Sequence, residues 1–492
     1  MDFRKSVTLL LDRREGMVFY TVLLVYALLL FVVHGEVKVN CDNPGYTDPA
    51  INYVLGNGFT SCCWYAQRWD ACWAGNVPLH QFLLIPWFKI FGAGLSAVLW
   101  LNFFYVTAGM TLLWRALQKS DLVSGACWRL GAMAFILSTN CCYFLLTPAR
   151  YDPLSFLLIS LAVYLLTVQR PVWRLGGLFL VALLLPWAHL AISAYAALMG
   201  CLLLLFYPRH FWKDVFVFGA GGLLGALALV GFYKYMGVWE GFMLSIAPHA
   251  MGGDVNTSGG AWRHGGVTSL YYLVTGALLC FLVLFVVRKR PWKFPLFAVV
   301  CAVAIPSFLI KLGIFSAYYG WCLLFLLVVF LFSMLANEAI PNRNPLLCVG
   351  VLLAFGMVVP GSFWRRTIDN RILLYRTGSP EMQMTEFVKK VLKPKDVALI
   401  DEVFYYQARP RVSRTIASPM AFADFNGRVS YPGRKEDVDA LTVCILGDLD
   451  NRPHLTRLPT LRFQPPGQWS PTGEELGVWG WHFVVFRRTD RP

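Results

Sequence analysis

"CDNPGYTDPAINYVLGNGF", residues 41–59, follows directly on an apolar run and holds two aspartates, a proline after the second and small residues towards its end. The run before it, near 17–35, is long enough to span the ~30 Å hydrocarbon core of a bilayer. Asp48 and Pro49 then read as N-cap and first residue of a short helix, "PAINYVLG", closed by Gly56 and Gly58. A cap accounts for one aspartate. It does not account for the size and placement of the loop, which extends over residues 36–94 while most other connections are short.

The rest of the chain supports a membrane setting. Hydrophobic residues make up 57% of the sequence and charged residues 14%, against roughly a quarter charged in soluble domains. Mean hydropathy is +0.55. The hydrophobicity is continuous rather than alternating, which excludes a barrel and leaves helices to satisfy the backbone inside the bilayer. About eleven spans are expected by hydropathy, near 17–35, 95–114, 126–147, 153–169, 174–190, 191–207, 214–234, 267–287, 294–311, 315–336 and 345–361.

Alternate short loops carry the positive charge: Arg115 and Lys119; Arg170 and Arg174; Arg209 and Lys213; Arg288, Lys289, Arg290 and Lys293; and Arg343. These are the expected cytoplasmic loops, and the N-terminal Arg4, Lys5, Arg13 and Arg14 share their side. The first helix reads as an uncleaved anchor. The net charge of +15 is therefore partly topogenic and calls for no nucleic acid. With an odd number of spans, residues 36–94, 236–266 and the C-terminal tail lie outside.

The tail changes character at Ser362. Charge density rises, and "DVALIDEVFYY", "LTVCILGD" and "WHFVVFRR" read as strands, with one helix, "SPEMQMTEFVKKVL", capped by Ser379 and started by Pro380. The expected architecture is an all-α polytopic bundle over 1–361 with a long first outer loop, followed by a small extracytoplasmic α/β domain over 362–492.

Several polar residues stand out against this apolar background. Residues 78–92 form an amphipathic stretch too short to span, with His80 and Lys89 interspersed, and read as an interfacial helix. An interfacial His80 is either hydrated or in contact with substrate. His189, in "LPWAHLAISAY", lies at an outer helix end, where an ionisable group is a functional candidate or simply part of a turn. Arg150 and Asp152, in "TPARYDPLSFLL", sit at the outer end of a hairpin. There Asp-Pro again starts a helix, and an ion pair plus a cap is the plain reading. Two such starts on one face place a carboxylate from each near the bilayer surface, a geometry suited to chemistry on a lipid headgroup.

Cys41, Cys62, Cys63 and Cys72 crowd the first outer loop, so one or two disulfides are expected there, with their pairing open; no CxxC or interleaved His supports a metal site. Trp64, Trp69 and Trp73 read as part of an interfacial belt. The Gly-rich stretch 247–266 is a lid or an unstructured loop.

The acidic helix start after the first span, "PLHQFLLIPWFKIFG" close to a "PPL…G" pattern, and R-x-D between the third and fourth spans together resemble the GT-C glycosyltransferases. The likeness is to the branch with protein O-mannosyltransferases and the lipid A aminoarabinose transferase (glycosyltransferase family 39-like), and it covers residues 15–330. The resemblance implies a polyprenyl-phosphate sugar donor, inverting transfer on the outer leaflet to a lipid, glycan or protein acceptor, and a bacterial inner membrane with the site facing the periplasm or exterior.

Carried over by position, Asp48 is the implied general base, and Arg150 and Asp152 match the later R-x-D, Asp152 as a further catalytic candidate and Arg150 as a substrate-binding one; His80 and His189 are substrate-binding candidates from their own places in the sequence. Lys311 and Tyr319, in "KLGIFSAYYGW", match the family's late outer loop, where a Lys or Tyr can meet the phosphate. The sequence departs from the family in having Pro49 where a second acid is usual, and Asn76 and Val77 before the "PL" element where a basic residue is common. Two aspartates permit a divalent cation without requiring one.

The chemistry is consistent with these residue types. Displacing phosphate from an anomeric carbon needs a carboxylate to take the acceptor's proton and positive charge where the phosphate leaves. A multi-pass transporter or lipid-linked sugar flippase is the alternative; it predicts acids at mid-membrane and internal two-fold symmetry, neither of which the sequence shows clearly. A non-catalytic assembly or receptor subunit is a third reading.

Overall fold

The computed structural model describes residues 3–33, 42–63, 70–75, 78–120, 123, 125–138, 150–188, 211–250, 380–417, 439–447, 468–478 and 481–490, with scattered single positions between 328 and 368. The N-terminal part is helical: α1 (Phe3–Val33), α2 (Asp42–Gly45), α3 (Asp48–Val54), α4 (Pro78–Phe91), α5 (Leu95–Lys119), α6 (Ala126–Ser138), α7 (Asp152–Leu166), α8 (Pro171–Ala188), α9 (Phe211–Tyr235) and α10 (Trp239–Ala250). Among the described residues, three helices, α5, α8 and α9, are long and apolar enough to cross a membrane, and α6 and α7 are shorter apolar helices. The chain is a membrane protein. The expected spans at 191–207, 267–287, 294–311, 315–336 and 345–361 lie outside the described residues apart from single positions. Of these, Phe332 and Val349 close over Gly131 of α6.

Polar clips at one end and small residues within the bundle set the packing. α1 bends at Arg14 (φ −119°). The next residue, Glu15, accepts hydrogen bonds from Trp114 Nε1 at 2.8 Å and Arg129 Nε at 2.9 Å, while Arg129 Nη2 reaches its other oxygen at 2.7 Å. One carboxylate thereby joins α1, α5 and α6. Deeper in the bundle Gly109 of α5 faces the Phe156 ring of α7, and Gly221 and Gly225 of α9 face the α8 backbone. A Cβ on Gly225 would lie 2.2 Å from the Leu183 carbonyl oxygen, so this small-xxx-small face lets two backbones touch. Gly225→Leu is expected to force α8 and α9 apart and cost about 1–3 kcal/mol, the usual range for overpacking. Thermal unfolding in detergent measures this, with the lipid-facing Leu224→Ala as the unaffected comparison.

α4 carries Leu84 and Phe88 on its buried side, with Ile90 and Phe91 exposed. Trp87 Nε1 donates to the Ala97 carbonyl at 2.7 Å, pinning α4 to the head of α5.

The C-terminal part is an α/β unit. α11 (Pro380–Val391) precedes a five-stranded sheet in the order β2-β1-β3-β5-β4, formed by β1 (Val397–Ile400), β2 (Arg414–Ala417), β3 (Val443–Gly447), β4 (Trp469–Val478) and β5 (Trp481–Arg488). β1 runs parallel to β2 and β3, while β5 is antiparallel to both β3 and β4. Alternate residues serve the two faces. Ala398, Ile400, Val443, Ile445, Phe483 and Val485 join the core that contains Phe387 and Val388 of α11, while Leu399, Ile416 and Cys444 form a second cluster.

Two expectations need correction here. Only the first part of "DVALIDEVFYY" is strand. Asp401 turns the chain by accepting from Val403 N, and residues 402–404 form a 3-10 turn leading into α12 (Tyr405–Ala408). β2 and β4 were not anticipated. β2 is only four residues long, and β4 is an edge strand carrying Pro471 and a left-handed Gly473 (φ 80°) where its register shifts, features that hide a strand from pattern reading.

Candidate functional site

α3 begins at Asp48, but Asp48 does not cap it. The N-cap position is Thr47, without a side-chain cap bond, and Asp48 lies in the first turn ahead of Pro49. Gly56 and Gly58, at φ 84° and 78°, turn the chain back after the helix. The returning loop presents its donors to Asp48. Ser61 Oγ donates to Oδ2 at 2.9 Å, the backbone N–H groups of Cys62 and Cys63 at 2.6 and 3.3 Å, and Asn52 Nδ2 at 3.3 Å. The carboxylate is fully buried.

The other oxygen faces the C-terminal unit. Tyr405 of α12 donates its hydroxyl to Oδ1, and Arg409 Nε lies 3.9 Å from the same atom. Arg409 caps the end of α12 and grips Asn52 Oδ1 through Nε at 2.9 Å and Nη2 at 2.5 Å. Tyr406 shares a 2.9 Å hydrogen bond with Thr47 Oγ1 and donates to the Asn43 carbonyl at 3.2 Å. Burial, followed by the charge of Asp48, holds the Tyr405 phenol well above its ordinary range, so it stays a donor at neutral pH.

The second Asp-Pro start sits against the first. Asp152 opens α7 and, like Asp48, lies in the first turn behind a residue, Tyr151, that makes no side-chain cap bond. Arg150 Nε bonds Asp152 Oδ2 at 3.0 Å, and Nη2 bonds the Tyr151 hydroxyl at 3.0 Å. The Tyr151 ring meets Tyr46 edge-on at 4.7 Å between centroids, and the Arg150 guanidinium lies over both rings. Tyr46, Trp73 and Tyr151 form one buried cluster. Trp73 is thus a wall between the two helix starts and not a belt residue. The ion pair expected of Arg150 and Asp152 is present, and both of its members are buried.

α4 holds α3 from the other side: Gln81 accepts from Ala50 N at 3.3 Å and donates to the Tyr46 carbonyl. Its neighbour His80 is fully buried, not hydrated, and neither ring nitrogen has a partner among the described residues. Burial depresses its pKa to about 3. With the folded value below the unfolded one, the stability linked to His80 is complete above about pH 6.5 and is lost as pH falls towards 3. His80→Leu is therefore expected to raise the melting temperature by removing two buried unpaired nitrogens, and to flatten the fall in stability over that acid window. Melting curves at a series of pH values test both effects.

His189, Lys311, Tyr319, Trp64, Trp69, Cys41 and most of the Gly-rich stretch lie outside the described residues. Among the described residues Cys62, Cys63 and Cys72 form no disulfide, with Cys41 outside them, and burial pushes the Cys72 thiol up to about 11. The described residues hold no cluster of three or more His, Cys, Asp or Glu side chains arranged for a metal. Asp48 is ringed by N–H and O–H donors and Asp152 is tied to a guanidinium, surroundings built for anions that do not fit a divalent cation.

Ser61, the Cys62–Cys63 amides, Asn52, Tyr405 and Arg409 were not found by sequence reading. The loop residues act largely through backbone or as short polar side chains without a motif. Tyr405 lies in a segment that reads as strand, and Arg409 lies just beyond it.

A bundle with helices of membrane-spanning length, a carboxylate-bearing helix after the first helix and a C-terminal α/β unit closing on it make up the architecture around the site. Among solved structures, the crystal structure of ArnT from Cupriavidus metallidurans bound to undecaprenyl phosphate aligns with 96% of this chain and 97% of its own, at a TM-score of 0.58 and 12% sequence identity. At that identity the likeness is one of fold. No protein-family model and no curated protein sequence matches the chain.

Proposed function

We propose that the chain is an integral-membrane glycosyltransferase that moves a sugar from a polyprenyl-phosphate-linked donor to a hydroxyl of a lipid, glycan or protein acceptor on the outer face of the membrane, with inversion. The observation that carries the reading is the Asp48 carboxylate. Its Oδ2 is locked by four donors, while its Oδ1 receives a hydroxyl from Tyr405. That is the contact a general base makes with an incoming alcohol. The acceptor hydroxyl takes the place of the Tyr405 hydroxyl. Its oxygen attacks the anomeric carbon, its proton passes to Oδ1, and the bond from that carbon to the phosphate oxygen breaks with the electron pair leaving on phosphate.

The fold supports the same reading, since the ArnT structure it resembles holds undecaprenyl phosphate. The Arg150–Asp152 pair with Tyr46, Tyr151 and Trp73 forms the adjoining wall, and His80, His189, Lys311 and Tyr319 are the proposed donor contacts. The saturation of Asp48 by hydrogen bonds favours a second reading, in which it only ties the outer loop to the C-terminal unit. Sugar transfer from a polyprenyl-phosphate-sugar pool in membranes, with Asp48→Asn as the comparison at matched folded protein, decides between the two. Transfer that the substitution abolishes supports catalysis; undiminished transfer by Asp48→Asn leaves Asp48 as a tie.

A further inference from the structure

Asp48 is buried to zero exposure. A carboxylate removed from water stays ionised only where charge and hydrogen bonds replace the lost hydration. The loop supplies hydrogen bonds but no charge. The groups facing Asp48 are Ser61, Cys62 and Cys63 from the loop, Asn52 from its own helix, and Tyr405 and Arg409 from the C-terminal unit. Tyr406 reaches the same turn through Thr47, and α4 adds Gln81 and a His80 that is neutral at pH 7. Among the described residues Arg409 is the one cation within 4 Å of Asp48.

Arg409 is itself built in. It is 3% exposed, and Asn52, one turn along α3 from Asp48, takes two of its donors at 2.9 and 2.5 Å. Asn52 also donates to Asp48 and to the Thr60 carbonyl at 2.9 Å. The guanidinium therefore cannot turn away without releasing the residue that braces both the carboxylate and the returning loop. A solvent-facing surface bridge would show neither this burial nor this shared brace.

We infer that Arg409 is a positioning residue for the Asp48 site: the C-terminal unit places the counter-charge against the buried carboxylate, so that the site is complete only when α12 is docked on α3. The inference rests on the proposed role of Asp48 as base. Arg409 touches neither donor nor acceptor; it acts through Asp48. Its removal thus changes the pH at which transfer operates and not only the amount of folded protein.

The test is the pH dependence of polyprenyl-phosphate sugar transfer by the full chain in membranes, for the unmodified protein, Arg409→Gln, Arg409→Lys and Asp48→Asn. Arg409→Gln is expected to lower transfer at neutral pH about tenfold or more and to move the acid limb of the profile upward by about one unit, so that activity partly returns at higher pH. Arg409→Lys keeps the charge without the fork and is expected to leave the acid limb in place while lowering the rate. If Arg409→Gln fails to fold, Arg409→Lys still decides, because a displaced acid limb in that variant overturns the counter-charge role. A dead Asp48→Asn beside an Arg409→Gln with the unmodified rate and profile defeats the inference and leaves the proposed function standing. An active Asp48→Asn defeats the proposed function itself.

Discussion

Asp48→Asn is expected to lower sugar transfer by about 10²–10⁴-fold, the span attributed to a general base, with a smaller fall in melting temperature than Asp48→Ala. The expectation of a folded but inactive protein comes from the two sides of the carboxylate. On the Oδ2 side, Ser61 and the amides of Cys62 and Cys63 all donate, so the new amide must present its oxygen there. Its NH2 then falls on the Oδ1 side, opposite the Tyr405 hydroxyl, whose oxygen can accept. The loop keeps its anchor while the atom that would take the acceptor's proton is gone. Asp48→Ala is the contrasting case. It leaves buried amide donors without their acceptor, at about 1–3 kcal/mol for each group left unsatisfied, so loss of folded protein accompanies loss of transfer. Transfer normalised to folded protein separates the two variants, and an Asp48→Asn protein as active as the unmodified chain would count against catalysis by Asp48.

The second large effect is expected at the other Asp-Pro helix start. Arg150 and Asp152 are both buried, with 3.0 Å between Nε and Oδ2. Arg150→Met takes away the guanidinium facing a buried carboxylate and is expected to cost about 3–5 kcal/mol, the range for breaking one side of a buried pair. The double variant Arg150→Met, Asp152→Leu removes both charges and is expected to recover most of that loss, since a buried pair often contributes little net stability over an apolar replacement. Melting temperatures of the three proteins in one detergent form the cycle. If the single and double variants are equally unstable, the pair is not the element that organises this end of α7, and the packing of Arg150 on Tyr46 and Tyr151 takes its place as the explanation.

The fold was legible where hydrophobicity acts over a long window. α5, α8 and α9 stand where the apolar runs predict them, and α4 starts at Pro78. Val397–Ile400, Val443–Gly447 and Trp481–Arg488 are strands that showed in the sequence as short apolar segments between turns. The site was legible only in part. An aspartate followed by proline marks the head of a helix, and both marks were placed to within a residue. What each carboxylate does with its oxygens is decided by partners far along the chain. Asp48 and Tyr405 are 357 positions apart, and no local pattern carries such information. The segment that supplies Tyr405 reads as strand for a physical reason: "EVFYY" has the aromatic and branched residues of a strand, but Asp401 caps a turn there and β1 ends at Ile400. The pairing of Arg150 with Asp152 showed in the R-x-D spacing, while the burial of both did not.

The hydrogen bond between Tyr405 and Asp48 also restricts how the chain threads the bilayer. Two side chains in direct contact lie in the same aqueous compartment, so the polypeptide between residues 54 and 397 must cross the membrane an even number of times. Three of those crossings are available in α5, α8 and α9, so an even total requires an odd number from the remaining segments. The ten spans that hydropathy places after the first loop, about eleven in all, satisfy this parity. Nine or eleven in that interval would put the Asp48 carboxylate and the Tyr405 hydroxyl on opposite faces of the bilayer.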